Sequence, residues 1–140
     1  MPKSNPLKLI VDTNLWISFI ISNKLNLLDP FLFSGKARLL FSTELITEIS
    51  STITKPKLKK YFSSNALEEM LSKFDPFIDL IKVNSNVLVC RDPKDNFLLA
   101  LSKEGKSDYL LTGAKDLLDI KKFGKTKIIT IPKFFEPQKT

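Results

Sequence analysis

The chain has 140 residues, of which 43% are hydrophobic and 26% charged, a composition typical of folded globular proteins. Its length fits one domain spanning residues 1–140. It contains no histidine, one cysteine, and no GxGxxG or GxxxxGK[ST] run. These absences exclude a Ser-His-Asp triad, a cysteine- or histidine-rich zinc site and the glycine-rich nucleotide loops. Catalytic chemistry would have to come from carboxylates, hydroxyls, amides and lysines.

The chain carries 22 basic and 15 acidic residues, for a net charge of +7, and Arg38 and Arg91 are its only arginines. This balance favours a polyanionic partner such as nucleic acid, although a solvated surface can carry the same charge. Lysines contact phosphates as point charges rather than reading base edges. The apolar stretch Leu15–Ile21 is too short to span a bilayer. We therefore expect a cytoplasmic protein that does not bind membranes.

The first half of the chain predicts two strands, each followed by helices. Leu7–Val11 has the apolar run of a buried strand, and Asp12-Thr13-Asn14 supplies capping residues for the helix that follows. The predicted elements are a strand at Leu7–Val11, a helix at Leu15–Ile21, a helical patch at Leu28–Phe33, a strand at Arg38–Phe41, and a helix from Ser42 that ends before Pro56.

The second half continues the alternation of helices and strands. A helix with a capping box at Asn65 and Glu68 is predicted to kink or restart at Pro76 before Ile81. The other predicted elements are a basic amphipathic piece at Lys57–Phe62, a strand at Val87–Cys90, a helix from Pro93 to Gly105, a strand at Tyr109–Leu111, a short helix at Lys115–Ile120, and a strand at Lys127–Ile131 before Phe134-Phe135. The pattern predicts a three-layer α/β/α sandwich around a mostly parallel five-stranded sheet.

Four acidic residues follow four successive predicted strands. Asp12 comes directly after the first strand, Glu48 lies about two turns into the next helix, Asp95 lies in the first turn after the third strand, and Asp116 follows the fourth. The carboxyl ends of parallel strands meet at one edge of a sheet. Grouped carboxylates there favour Mg²⁺ or Mn²⁺, which would activate water and stabilise charge on a phosphodiester.

Helix capping is the structural alternative for these acids, because acidic residues after strands are common N-caps and first-turn dipole partners. Asp92, which precedes Pro93, fits a purely capping role best. Glu48 fits it least, because a glutamate in the middle of a helix has no cap to make. The spacing alone leaves both interpretations open.

Four segments resemble, in order, the motifs of PIN-domain nucleases, and the closest likeness is to VapC-type toxins of prokaryotic toxin–antitoxin pairs. The segments are Val11–Ser18, Ser42–Ile49, Arg91–Asn96 and Asp108–Leu118, and Ile128–Phe135 resembles the closing strand and short helix. The resemblance implies an α/β/α fold, Mg²⁺- or Mn²⁺-dependent cleavage of RNA, inhibition by a partner antitoxin, and a homodimer.

Transferred residue by residue, the resemblance implies an acidic metal-binding and catalytic quartet of Asp12, Glu48, Asp95 and Asp116. The implied supporting residues are Asn14, Ser18, Asn96 and Thr112, and the weaker substrate-binding candidates are Lys57, Lys59, Lys60, Lys94 and Lys115. Ala114 is a departure, because the family often carries a further acid or amide there.

The leading interpretation is therefore a metal-dependent endoribonuclease that acts as a toxin. The alternatives are a catalytically silent PIN-like module that binds RNA or protein, an Mg²⁺ phosphatase for small esters, and a receiver-like phosphoacceptor. The basic and aromatic segment from Lys55 to Phe62 is better explained as a solvated helix with buried rings than as an RNA surface. Trp16 and Cys90 are interpreted as core residues, and Phe134 and Phe135 as either core or a dimer surface.

Overall fold

The protein is described by a computed structural model that covers residues 6–84, 87–88 and 93–136. Six strands of these residues form one sheet in the order β3-β2-β1-β4-β6-β5. The strands are β1 (Leu7–Val11), β2 (Ala37–Phe41), β3 (Ile78–Leu80), β4 (Tyr109–Leu111), β5 (Lys122–Phe123) and β6 (Thr126–Ile129). Neighbouring strands from β3 to β6 are parallel, and only β5 is antiparallel to its neighbour.

Helices flank this sheet, which confirms the predicted α/β fold. They are α1 (Thr13–Ile21), α2 (Asp29–Phe33), α3 (Thr43–Ile53), α4 (Pro56–Lys59), α5 (Ala66–Phe74), α6 (Asn96–Gly105), α7 (Lys115–Leu118) and α8 (Ile131–Phe135), with 3₁₀ turns at Leu25–Leu28, Asp75–Phe77 and Pro93–Asp95. Because parallel crossovers are right-handed, the helices that connect β1, β2 and β3 cover one face, and α6 covers the other. No helix within the described ranges is long and apolar enough to cross a membrane.

The third strand lies earlier in the chain than the sequence predicts. β3 occupies Ile78–Leu80, where a restarted helix was predicted, and its Asp79 carboxylate accepts two 2.9 Å hydrogen bonds from Arg38 on β2. α5 ends at Phe74, and Pro76 lies in the 3₁₀ turn Asp75–Phe77, after which the chain enters β3 rather than a further α-helix. Val87 and Leu88 are in no strand, so the predicted strand at Val87–Cys90 is wrong over these two residues. Its other half and Asp92 lie outside the described residues.

The sheet has a sixth strand that the sequence analysis missed. β5 has two residues, too few for a periodic pattern, and it joins β6 through Gly124, whose φ of +59° suits glycine. The predicted last strand ends at Ile129, because Ile131 already begins α8. The capping box at Asn65 is also wrong, since its side chain makes no capping hydrogen bond.

The core contains Trp16, as predicted, at 1% exposure. Its ring centroid lies 5.5 Å from that of Phe41 on β2 and 5.7 Å from that of Phe74 on α5. The contact fixes α1 against the sheet and thereby fixes the turn that precedes α1. Phe134 is also buried and packs 5.5 Å from the ring of Tyr109, so it belongs to the core rather than to an open surface.

Replacing Trp16 tests this anchor. Trp16→Ala leaves a cavity and should lower the free energy of unfolding by about 3–5 kcal/mol. Trp16→Phe should cost less, because it keeps a ring and removes a buried indole N–H that has no hydrogen-bond partner among the described residues. Urea unfolding followed by far-ultraviolet circular dichroism measures both values. Equal losses for the two variants would contradict this account of the core.

Candidate active site

The order of the strands reverses between β1 and β4, which creates a crevice at their carboxyl ends. The chain moves from β1 to β2 and β3 in one direction, then returns past β1 to β4. Helices on opposite faces diverge at such a point and leave space for a ligand. The turns after the two strands lie side by side, because the Asp12 N–H donates to the carbonyl oxygen of Leu111 at 3.1 Å.

Asp12 is the buried acid of this crevice, with 5% exposure. It is the N-cap of α1, where its Oδ1 accepts a 2.8 Å hydrogen bond from the Leu15 N–H, and its Oδ2 accepts a short hydrogen bond from the Thr112 hydroxyl. Burial raises the pKa of the Asp12 carboxyl above its ordinary value, although hydrogen bonds from Thr112 and from the Leu15 and Gly113 N–H groups oppose the shift. A carboxylate has about four lone-pair sites, so Asp12 can still bind a cation.

All four predicted acids, Asp12 included, line one cleft. Its volume is about 320 Å³. The residues that line it are Asp12, Thr13, Asn14, Glu48, Thr52, Lys55, Lys94, Asp95, Phe97, Leu98, Ala114 and Asp116. Each acid comes from a different connection that follows a strand. The turns after β1 and β4, helix α3 and the start of α6 therefore converge on one space.

Capping explains one of these acids but not the others. Asp12 caps α1, whereas Asp95, at the N-cap position of α6, makes no side-chain capping hydrogen bond. Glu48 lies in the middle of α3, and Asp116 lies inside α7, whose N-cap is Ala114. Side-chain capping therefore accounts for Asp12 alone, whereas Asp95 and Asp116 still occupy helical first turns and Glu48 has neither role.

The four supporting residues occupy different environments. Asn14 lines the cleft, whereas Ser18, one turn further along α1, is exposed and lies outside the cleft lining. Thr112 is fully buried, donates to Asp12 and accepts a 3.0 Å hydrogen bond from the Ala114 N–H. Asn96 is buried and lines a neighbouring cavity with Glu44. Of the four, Asn14 therefore lies in the cleft lining, and Thr112 contacts its buried acid.

The predicted substrate-binding lysines are mostly outside the cleft. Lys94 lines it, but Lys57, Lys59 and Lys60 are exposed on or beside α4 and are not part of its lining. Lys115 is exposed and forms a 2.9 Å ion pair with Asp119. Of the five, the structure brings Lys94 alone into the cleft lining.

Three polar cleft residues were not predicted as site residues, namely Thr13, Thr52 and Lys55. Thr52 and Lys55 follow Glu48 by four and seven positions, which places all three on one side of α3 and the turn after it. That spacing is visible in the sequence and could have identified them.

Thr13 is 8% exposed, and its hydroxyl has no hydrogen-bond partner among the described residues. An unpaired buried hydroxyl facing a cleft is suited to a polar ligand.

The charge and donor set of the cleft suit a hard cation better than a bare phosphate. Four carboxylates face two lysines, and the donor atoms of its polar residues are chiefly oxygens, the ligands that Mg²⁺ and Mn²⁺ prefer. Across the described ranges, however, no three acidic, cysteine or histidine side chains are close enough together to form a metal cluster. This geometry fits an ion such as Mg²⁺, which keeps several waters and binds through one or two carboxylates.

The raised pKa of Asp12 predicts a pH-dependent cost to stability. The folded protein holds this proton more tightly than the unfolded chain, so the contribution to stability is present below the unfolded-state pKa and is lost as pH rises through the folded pKa. Asp12→Asn keeps a capping side chain without the charge. In EDTA, its free energy of unfolding should increase relative to wild type as pH rises through this range. Urea unfolding from about pH 4 to about pH 8 tests this, and parallel curves would contradict it.

Known proteins share both the sequence pattern and the fold. The uncharacterized protein MJ1680 of Methanocaldococcus jannaschii is 33% identical over 119 residues, covering 82% of this chain and 76% of the relative. The PIN domain endonuclease Utp24 has a similar structure, with a TM-score of 0.60 and 18% identity over 91% of this chain and 87% of that one. VapBC2 from Rickettsia felis, bound to a DNA fragment from its promoter, has a TM-score of 0.54 and 11% identity over 87% of this chain and 97% of that one.

At these identities the two solved structures show the shared fold alone. The sequence supplies the family, because residues 8–116, most of the chain, match the PIN domain. The chain belongs to the PIN domain family.

Proposed function

We propose that this protein is an endoribonuclease that depends on Mg²⁺ or Mn²⁺ and cleaves RNA in the acidic cleft. The observation that carries the proposal is the convergence of Asp12, Glu48, Asp95 and Asp116 on one cleft at the reversal of strand order. Glu48, in the middle of α3, has neither a capping nor a first-turn role that would otherwise explain it. Membership of the PIN domain family supports nuclease chemistry in general.

Each cleft residue has a defined part in this proposal. Asp12 is held by Thr112 and by the Leu15 N–H, so its carboxylate orientation is fixed before any ligand arrives. Glu48, Asp95 and Asp116 would hold the cation directly or through water. A bound divalent cation supplies an activated water and stabilises the charge that develops on the phosphodiester. The chain has no histidine, so its own residues contribute ligands and orientation rather than an imidazole acid or base.

RNA is the proposed substrate because the chain combines a net charge of +7 with lysines at the edge of the acidic cleft. Lys55 and Lys94 line the cleft beside the acids, where an ammonium group can contact a backbone phosphate. The motif likeness to ribonucleases supports the choice of RNA.

The same proposal includes a cytoplasmic toxin of a type II toxin–antitoxin pair, active as a homodimer and inhibited by a cognate antitoxin protein. The support for this role is the likeness of the four ordered motifs to VapC-type toxins. The structural likeness to VapBC2 supports the fold. At 11% sequence identity, that likeness carries no information about the partners of this protein.

A catalytically silent PIN-like module is the second candidate function. Ala114 favours it, because this alanine lines the cleft at a position where the family often has a further acid or amide. A silent module would bind RNA tightly without cleaving it in either metal. A nuclease would cleave the same RNA with a strict dependence on the metal and the acids.

Removing single carboxylates tests the nuclease proposal. Asp95→Asn and Glu48→Gln should reduce RNA cleavage by at least about 100-fold with little change in unfolding temperature, because each removes a charged ligand without altering the core. Glu44→Gln is the matched control, because Glu44 is exposed on the same helix, one turn before Glu48, and lines a different cavity. Cleavage of a labelled RNA in Mn²⁺, with an EDTA sample, gives the readout. Wild-type rates in Asp95→Asn would refute the assignment.

Lys55 provides a separate test of substrate binding in the cleft. Losing one charged contact to phosphate should raise the KM for RNA by about 10-fold. A contact made equally in the ground and transition states leaves kcat nearly unchanged. Lys55→Gln should therefore behave in this way, and Lys59→Gln, on α4 outside the cleft, should match wild type. Steady-state kinetics of both variants decide this, and equal KM values for them would contradict the placement.

A further inference from the structure

A second cavity lies between the end of α6 and the β5–β6 hairpin, apart from the acidic cleft. Its volume is about 360 Å³, and we call it the lysine groove. The residues that line it are Ser102, Lys103, Lys106, Phe123, Gly124, Lys125 and Thr126. None of these residues also lines the acidic cleft.

The lysine groove has positive charge that the fold does not fully neutralise. Lys103 and Lys106 are exposed, and neither forms an ion pair with a described residue, whereas Lys125 lies 3.3 Å from Asp108. Within the part of the chain that the structure describes, no acidic side chain lines the groove. A polyanion that occupied this space would be attracted by at least two ammonium groups.

The hairpin beside the groove carries further lysines in an unfavourable arrangement. Residues 121–127 contain four lysines and no acid. Lys122 and Lys127 stand directly opposite each other across β5 and β6, and both are exposed. Like charges at opposed positions destabilise a strand pair. Because successive strand residues point to opposite faces, this pair lies on the face opposite to Phe123 and Thr126, so it adds to the basic charge of the hairpin but is not part of the groove lining.

The groove also offers an aromatic surface. Phe123 is half-buried and contributes its ring to the lining, and the aliphatic stems of the lysines add apolar surface around it. An aromatic ring bordered by cations is the combination that binds single-stranded nucleic acids, in which bases stack on the ring and phosphates contact the cations.

We propose that the lysine groove is a second binding site for single-stranded RNA, which takes one unstacked base against Phe123 and flanking phosphates on Lys103, Lys106 and Lys125. A single-stranded nucleic acid is the proposed occupant because its phosphates complement the charge of the lysines and its bases can stack on the Phe123 ring. That it is RNA rather than DNA rests on the proposed function, because the groove would hold the same substrate that the cleft cleaves.

Helix α6 connects the two sites. Asp95 and Phe97 at its start line the acidic cleft, and Ser102 and Lys103 near its end line the groove. Lys103 lies eight positions beyond Asp95, a separation of about 12 Å along a helix axis. A strand of a few nucleotides can span this distance, so one RNA molecule can occupy both sites.

Equilibrium binding of a fluorescent single-stranded RNA, measured by anisotropy in EDTA to prevent cleavage, tests the proposal. Lys103→Gln/Lys106→Gln/Lys125→Gln should weaken binding at least about 10-fold and reduce the slope of log Kd against log salt concentration by about 2, the value for three phosphate contacts. Phe123→Leu should weaken binding without changing that slope, because it removes stacking only. The charge-matched control is Lys24→Gln/Lys36→Gln/Lys82→Gln, whose three lysines are exposed and lie outside the groove.

The outcomes separate this proposal from the nuclease proposal. Equal affinities for the groove variant and the control would overturn the groove site, even if cleavage depends on Asp95. Preferential loss in the groove variant would support the site, even if no cleavage occurs. Tighter groove-dependent binding of single-stranded DNA would overturn the choice of RNA. If a blunt RNA duplex competes for the groove as well as single-stranded RNA does, the proposed stacking of a base on Phe123 would be overturned, because the bases of the duplex are already paired.

Discussion

The hydrogen bond from the Thr112 hydroxyl to the Asp12 carboxylate joins the ends of β1 and β4 at the point where strand order reverses. It holds a buried acid in one orientation, and burial raises the pKa of that acid. The same carboxylate caps α1, which Trp16 packs against β2 and α5. Core packing, helix capping and the geometry of the cleft therefore depend on the placement of one side chain.

The sequence predicts the central strands of the fold well, and the residues that it proposes as the acidic site lie near one another. Strands β1 and β4 begin and end at the predicted residues. The four predicted acids line one cleft. For β1 and Asp12 the reason is local, because a short apolar run followed directly by an acid determines both a buried strand and the position of the next side chain. The resemblance implies a supporting role for Thr112, but its direct hydrogen bond to Asp12 could not be derived from the sequence, because the two residues are 100 positions apart.

The errors fall where local signals are weak or are overridden by long-range contacts. β3 is exposed at Leu80, and its pairing depends on Arg38 and Asp79, which are 41 positions apart. β5 is too short to show a period. Lys55 was grouped with the neighbouring lysines of a basic segment, although the direction of α3 places it with Glu48 in the cleft. Lys55 and Lys57 are close in sequence, but only the three-dimensional path of the chain shows that Lys55 lines the cleft and Lys57 does not.

Electrostatics divides the molecule into a positive surface and a cleft in which four carboxylates outnumber two lysines. A phosphodiester would be repelled there unless a cation balances the charge, so the whole functional account depends on metal binding. Isothermal titration of Mn²⁺ into wild type, Asp95→Asn and Glu44→Gln tests this dependence directly. The account predicts saturable binding by wild type and Glu44→Gln, with affinity reduced at least about 10-fold in Asp95→Asn. Absence of saturable binding by wild type, or equal binding by all three proteins, would contradict it.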